Sequence, residues 1–152
     1  MRNAPVIYIV VPCYNEEEVL PLTAEFLGKK LDDLTRSRRI HPGSRVLMVD
    51  DGSKDRTWKL IEKLHEKDER FAGVKLSRNR GHQNALLAGL FEAARRRCDA
   101  AISMDADLQD DVDACDAMIE RYMAGTSCTV CAATGRRIHF LSVQLRWDFI
   151  RL

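Results

Sequence analysis

The chain has 152 residues, of which 45% are hydrophobic and 31% charged, an ordinary composition for one globular domain with a substantial core. Its formal net charge of +1 provides no overall basic field, so we do not expect nucleic acid as a partner. No apolar stretch approaches the length of a membrane-spanning helix. These properties exclude a polybasic nucleic-acid binder and an integral membrane segment within this sequence.

The N-terminus and the cysteines indicate the compartment. The apolar run Val6–Val11 has no small-residue cleavage site after it and ends at Pro12, so it predicts a strand and not a signal peptide. The five cysteines are an odd number and are spread thinly along the chain. That usage argues against a disulfide framework. We therefore expect a reducing, cytoplasmic environment.

Four short apolar runs that end at polar residues predict buried strands. They cover Val6–Val11, Val46–Val49, Phe71–Leu76 and Ala100–Met104. Apolar residues at helical spacing predict helices between and after them. The first opens at Glu16–Glu18 and buries Leu20, Ala24, Leu27, Leu31 and Leu34; the second is capped by Ser53 or Asp55 and buries Trp58, Ile61 and Leu64; the third and fourth cover His82–Arg97 and Val112–Met123.

Strands that alternate with helices predict an α/β fold with a mainly parallel sheet and helices flanking it. The loops after all four strands then lie at one edge of the sheet, where open α/β sheets bind ligands. Glycine-rich dinucleotide and P-loop motifs are absent from the sequence, so neither of those nucleotide sites is supported. The predicted crevice must therefore bind its ligand through side chains.

Carboxylates dominate the predicted crevice. Asp105 and Asp107 follow the fourth strand, and Gln109 offers a neutral oxygen nearby. Such oxygen donors suit Mg²⁺ or Mn²⁺, which commonly also binds substrate phosphates. Asp51 can accept hydrogen bonds from a base or a ribose hydroxyl, and Arg78 can bind a diphosphate. This pattern predicts a metal-diphosphate site.

Each of these motifs also has a plain structural interpretation. Asp105 and Asp107 are typical of a helix cap, and the Asp-Gly pair after the second strand is typical of a turn. His82 is interpreted as a hydrogen-bonding residue at a helix start, and Cys13 as a small buried residue. The four loops taken together favour the functional interpretation of the aspartates.

Four segments resemble family 2 glycosyltransferases, and most of all the polyprenyl-phosphate sugar transferases of the dolichol-phosphate mannose synthase and bactoprenol glucosyltransferase type. These segments are VVPCYNEEE, VDDGSKDRT, LSRNRGHQNAL and MDADLQD, each at a predicted strand end. The resemblance covers roughly residues 6 to 125 and implies a GT-A (Rossmann-like) fold that is incomplete at the C-terminus. Arg80 departs from the family pattern, which usually has a bulky apolar residue there.

The resemblance also implies a reaction and its partners. The donor would be a UDP- or GDP-sugar, bound with Mg²⁺ or Mn²⁺, and the acceptor a lipid phosphate at a membrane surface. A full-length relative would work at the cytoplasmic face of the membrane. The implied nucleotide-binding residues are Pro12, Tyr14, Glu16, Asp50 and Asp51; the implied metal ligands are Asp105, Asp107 and Gln109; and the implied catalytic residues are Asp107 and Arg78.

The implied transfer inverts the anomeric carbon. A polyprenyl phosphate is already an anion, so this acceptor needs no strong general base. One alternative is an inactive remnant that binds donor and metal without turnover. Another is a sugar-nucleotidyltransferase, which requires a glycine-rich basic loop after the first strand that VPCYNEEE lacks.

The last 27 residues do not follow the family pattern. We expect residues 1–125 to form the nucleotide-sugar-binding domain and residues 126–152 an atypical tail, whose lone C-x-x-C pair at Cys128 and Cys131 is a weak zinc signal. In a shifted reading frame from Cys128, the genetic code permits YGVRSHRPTDTFFKRSTA, which fits the family in register. We hypothesise a frameshift near Gly125. Resequencing the coding DNA tests this, and a peptide mass confirming the printed frame would refute it.

Overall fold

The computed structural model describes residues 4–107, 113–125, 130–134 and 137–141. The chain divides into two compact units, Met1–Asp110 and Asp111–Leu152. The first unit contains strands β1 Ile7–Cys13, β2 Arg45–Asp50, β3 Phe71–Lys75 and β4 Ala100–Ser103, and helices α1 Leu20–Arg36, α2 Thr57–Lys67 and α3 His82–Arg95. The second contains helix α4 Ala114–Met123 and the antiparallel strands β5 Val130–Thr134 and β6 Arg137–Leu141.

The four strands of the first unit form a parallel sheet in the order β3-β2-β1-β4. Strand β1 is central, and all of its residues are buried because helices cover both faces of the sheet. On β3, Ala72 belongs to the cluster that packs under α3, whereas Phe71 and Gly73 approach Gly28 of α1 and Ile61 of α2. The predicted parallel α/β sheet with flanking helices is confirmed.

The close approach of α3 to the sheet depends on Gly89. A Cβ atom on Gly89 would lie 2.4 Å from Val10 Cγ1 and 2.8 Å from Val49 Cγ2, closer than real Cβ contacts. Without a side chain there, α3 packs directly on β1 and β2. Because α3 runs antiparallel to the strands it connects, its first residue, His82, lies at their carboxyl edge.

Helix α1 differs from its predicted start. It begins at Leu20, not at the acidic residues from Glu16. The backbone N–H groups of Asn15, Glu16 and Glu17 bind side chains of the loop after β2, and the Glu17 carboxylate pairs with Arg56. The acidic residues form a hydrogen-bonded turn before α1, in which the carbonyl of Glu16 accepts the N–H groups of Val19 and Leu20, and the tertiary contacts hold this turn against the neighbouring loop.

The predicted core of α2 is only partly correct. Ile61 is buried, but Trp58 and Leu64 are half-buried. Helix α2 lies over β3, the edge strand, where less of the helix is covered. The Trp58 indole donates to Glu62 Oε1 at 2.6 Å, and Lys75 Nζ lies 5.5 Å from the ring centroid. This tryptophan therefore has a polar environment on its outer side.

Among the residues that the structure describes, no helix is long and apolar enough to cross a membrane.

Candidate functional site

A pocket of about 260 Å³ lies at the carboxyl edge of the sheet, between the loops after β1, β2 and β4 and the start of α3. Six of the predicted site residues line it: Pro12, Tyr14, Glu16, Asp51, Asp105 and Asp107. The other residues of the lining, in the part of the chain that the structure describes, are Cys13, Asn79, Gly81, His82, Ala85 and Ala106. Residues 90 positions apart in the sequence thus meet in one concave site, because parallel strands end at the same edge.

Two of the predicted site residues that the structure describes, Asp50 and Arg78, are not part of this lining. Asp50 is completely buried, and Arg78 is exposed on the loop after β3. Gln109 lies outside the described residues, so its predicted metal contact stays a prediction.

Asp51 organises the loop after β3. Its Oδ1 accepts the N–H of Arg80 at 2.7 Å, and its Oδ2 accepts the N–H of Gly81 at 2.9 Å. Asp51 itself is only 2% exposed, so these bonds form in a largely water-free position. A carboxylate oxygen has more than one acceptor site, so Asp51 can also accept a hydrogen bond from a ligand in the pocket.

Asp50 stands next to Asp51 in the sequence but has a different environment. Its Oδ1 accepts the N–H of Ser53 at 3.2 Å, which closes the turn after β2. Its Oδ2 is buried and has no hydrogen-bond partner in the described part of the chain. Successive side chains of a strand point to opposite faces, which separates these two neighbouring aspartates.

The pocket wall is acidic. Burial raises the pKa of Glu16 above its ordinary value, and the charges of Asp107 and Asp55 raise it further. Asp107 is exposed, whereas Glu16 is half-buried. Carboxylates that oppose one another in this way are stabilised by a cation.

Asp105 and Asp107 suit a hard divalent cation. Both line the pocket, and the Asp105 side chain is 52% exposed with its Oδ1 3.5 Å from His82 Nε2. The described residues contain no group of three or more His, Cys, Asp or Glu side chains placed to bind a metal. Two carboxylates nevertheless fit Mg²⁺ or Mn²⁺, since these ions usually complete their coordination with water and substrate phosphates.

The raised pKa of Glu16 predicts a pH-dependent gain from removing its charge. A carboxyl whose pKa is raised on folding contributes stability below its ordinary value of 4.5, and this stability is lost as the pH rises through the folded-state pKa. Glu16→Gln should therefore raise Tm at pH 7 in EDTA but not at pH 4. Differential scanning fluorimetry measures this, with Glu18→Gln, an exposed neighbour, as the control. An equal change in Tm at both pH values would contradict the prediction.

The start of α3 adds a favourable environment for anions. Its N-cap is Gly81, with a φ of 89° and no side-chain cap. Helix N-termini carry a partial positive charge that favours phosphate groups. The exposed Arg78 precedes this helix start by four residues. The pocket edge therefore has acidic side chains on one side and positive charge on another.

The sequence interpretation missed the contribution of Thr23 and the pocket position of His82. Thr23 is buried on α1, and its hydroxyl donates to the carbonyl of Ala106 at 2.6 Å. This bond holds the turn that carries Asp105 and Asp107 against α1. The sequence signal for Thr23 was a polar residue on the otherwise apolar face of α1 formed by Leu20, Ala24 and Leu27. For His82, the signal was its place at the first turn of α3, which the parallel topology brings to the pocket.

Residues 8–150 match the family model described as glycosyl transferase family 2. YkoT, an uncharacterized glycosyltransferase of Bacillus subtilis (strain 168), is 48% identical over 124 residues, which are 82% of this chain and 36% of YkoT. The undecaprenyl-phosphate 4-deoxy-4-formamido-L-arabinose transferase of Pectobacterium atrosepticum is 34% identical over 118 residues, 77% of this chain and 33% of the relative.

The fold of this chain is also similar to that of a solved glycosyltransferase structure. The mannosyltransferase PcManGT from Pyrobaculum calidifontis, in complex with GDP-Man and Mn²⁺, aligns with a TM-score of 0.62 and 25% identity over 86% of this chain and 36% of its own. The chain thus spans about a third of the length of the proteins that it matches. Its family match, its GT-A-like α/β sheet and the relatives above show that the chain belongs to glycosyl transferase family 2 and is similar to polyprenyl-phosphate sugar transferases.

Proposed function

We propose that this chain is the donor-binding part of an inverting glycosyltransferase that moves a sugar from a UDP- or GDP-sugar to a polyprenyl phosphate. The observation that carries the proposal is the pocket itself, which brings Asp51 and Glu16 together with Asp105 and Asp107 at one sheet edge. PcManGT was solved with GDP-Man and Mn²⁺, and it supports a nucleotide-sugar donor. The Pectobacterium relative is named as an undecaprenyl-phosphate transferase, which supports a lipid-phosphate acceptor.

In this proposal, one group of residues binds the nucleoside of the donor and another group binds its diphosphate. Pro12, Tyr14 and Glu16 border the nucleoside, and Asp51 accepts a hydrogen bond from it. Tyr14 is 40% exposed, so its ring offers an open face to a base. Asp50 supports this part through the turn that it closes.

Asp105 and Asp107 would hold Mg²⁺ or Mn²⁺, with Gln109 as a third oxygen donor. When bound, the ion supplies positive charge that neutralises the diphosphate. Arg78 and the start of α3 stabilise the same charge as the nucleoside diphosphate leaves. The cation, Arg78 and the start of α3 would thus place positive charge beside the diphosphate. This charge explains how a pocket with acidic side chains could bind an anionic donor.

The transfer itself requires little proton chemistry from the protein. An oxygen of the acceptor phosphate forms a bond to the anomeric carbon while the carbon–oxygen bond to the diphosphate breaks, and the bonding electron pair leaves with the diphosphate. Attack from the opposite face inverts that carbon. Because the phosphate acceptor is already an anion, no side chain has to remove a proton.

Fewer residues of this chain are assigned to acceptor binding than to donor binding. We place donor binding in residues 1–125 and propose that residues 126–152, most of which the family model also spans, are an atypical tail that carries a frameshift. We place the full-length relative at the cytoplasmic face of the membrane. The chain spans about a third of its relatives' lengths, so transfer to lipid is proposed for the longer protein. An inactive remnant would bind donor without transferring sugar.

A thermal-shift screen of UDP-, GDP- and CMP-sugars with and without Mn²⁺ tests the donor site. Stabilisation by a UDP- or GDP-sugar that requires Mn²⁺ is expected, since a ligand at about 100 times its Kd stabilises the folded state by about 2.7 kcal/mol. No shift with any donor at millimolar concentration would refute the proposed site. Sugar release from a labelled donor, with and without polyprenyl phosphate, then separates a transferase from a remnant that only binds.

A further inference from the structure

The loop after β1 and the loop after β2 are joined by side-chain-to-backbone hydrogen bonds. The N–H of Asn15 donates to Ser53 Oγ at 2.9 Å, the N–H of Glu16 to Thr57 Oγ1 at 2.9 Å, and the N–H of Glu17 to Asp55 Oδ2 at 3.1 Å. Three consecutive backbone donors are thus satisfied by one neighbouring loop. We call residues 15–17 and 53–57, with these bonds, the loop junction.

In the loop junction, the loop after β2 also donates hydrogen bonds to side chains of residues 15–17. The N–H of Lys54 donates to Asn15 Oδ1 at 2.8 Å. The N–H and the Nε of Arg56 donate to Glu17 Oε2 at 2.9 and 3.0 Å. Because bonds run in both directions, neither loop can move alone without breaking several of them at once.

The conformation that these bonds hold is not one that the loop after β1 favours alone. Asn15 has a φ of 54°, in the left-handed region, which asparagine adopts more readily than most non-glycine residues but which remains uncommon. Helix α1 begins only at Leu20. Residues 15–17 therefore depend on the neighbouring loop for their backbone geometry.

We propose that Ser53, Asp55 and Thr57 are positioning residues for donor binding, a role that rests on the proposed function above. They hold the segment that carries Tyr14 and Glu16 in place before the nucleotide arrives. Both of those side chains line the pocket, whereas none of the three positioning residues does. Because the pocket wall at Tyr14 and Glu16 is ordered before the nucleotide binds, binding does not lose free energy in ordering it. The loop junction therefore strengthens affinity without contacting the donor.

Thr57 is the most informative of the three positions. It is the first residue of α2 and is completely buried, so water cannot replace its hydroxyl. The group that it accepts is the N–H of Glu16, whose side chain lines the pocket. Thr57→Val keeps the branched shape but removes the acceptor, whereas Thr57→Ser keeps the acceptor.

Calorimetric titration with UDP and GDP in Mn²⁺ tests this role, together with amide hydrogen exchange measured by NMR. We expect Thr57→Val to weaken the Kd of the nucleotide that binds the wild type by about tenfold, the effect of one buried N–H left unpaired. The amides of Asn15, Glu16 and Glu17 should also exchange faster. Thr57→Ser should stay within about twofold of wild type. Thr35→Val, on α1, is the control for a generic loss of a threonine hydroxyl.

The outcomes separate this inference from the proposed function. Unchanged affinity in Thr57→Val, or an equal loss in Thr35→Val, overturns the positioning role while the donor site stands. Rapid exchange of the Asn15–Glu17 amides in the wild type overturns the loop junction. A wild type that binds neither UDP nor GDP removes the proposed function and the positioning role with it, even if those amides are protected.

Discussion

Asp107→Asn should strongly weaken Mn²⁺-dependent nucleotide binding and leave the fold intact. A ligand carboxylate contributes both charge and an oxygen donor to a divalent cation, and its loss is expected to weaken binding on the order of 100-fold. The same change removes a negative charge that raises the pKa of Glu16. The variant should therefore be no less stable than wild type at pH 7 in EDTA, although it binds much more weakly.

Calorimetric titration of GDP and UDP, with Mn²⁺ and with EDTA, measures the first effect, and thermal unfolding measures the second. Asp33→Asn is the matched control, because Asp33 is an exposed aspartate on α1 that pairs with Arg36 at 3.3 Å. The control should bind nucleotide as the wild type does. Wild-type affinity with Mn²⁺ in Asp107→Asn would show that the metal assignment is wrong.

Gly52→Ala should destabilise the protein and disturb the pocket together. Gly52 has a φ of 70°, which costs an alanine about 1–2 kcal/mol. Its Cβ would also lie 2.5 Å from the carbonyl carbon of Arg78 and 2.6 Å from the backbone nitrogen of Asn79. Backbone atoms cannot turn aside as a flexible side chain can, so the loop after β3 must move. We expect a loss of about 2–4 kcal/mol in unfolding free energy.

Urea unfolding measures this loss, and nucleotide titration measures the change in the pocket. Gly125→Ala is the control for backbone strain alone, because Gly125, which follows α4 and does not line the pocket, has a φ of 98° but no atom within 4 Å of an added Cβ. It should therefore cost less stability than Gly52→Ala, about 1–2 kcal/mol. Equal losses in the two variants would show that the close contact between the two loops does not matter.

Most of the fold follows from local patterns. The strands β1 to β4 were predicted within about two residues of their observed ends, because buried parallel strands are short apolar runs that stop at polar residues. The alternation of strands and helices then predicted that Tyr14, Asp51 and Asp105 would meet at one edge, and they do. The predicted start of α1 was wrong: Glu16 to Val19 form a separate hydrogen-bonded turn, whose backbone is held by residues 38 to 41 positions away, and no local pattern contains those contacts.

The sequence alone determined the parallel α/β architecture and the family, because periodicity and four strand-end motifs are properties of short segments. Only the tertiary structure decided the role of each polar residue at that edge. Asp50 and Asp51 are indistinguishable as a pair of letters, yet one closes a buried turn and the other lines the pocket and holds the loop after β3. Arg78 lies outside the lining, and Thr57 supports Glu16 from the first turn of α2, 41 residues away. Such roles depend on which loops the sheet brings together, and no local pattern contains that information.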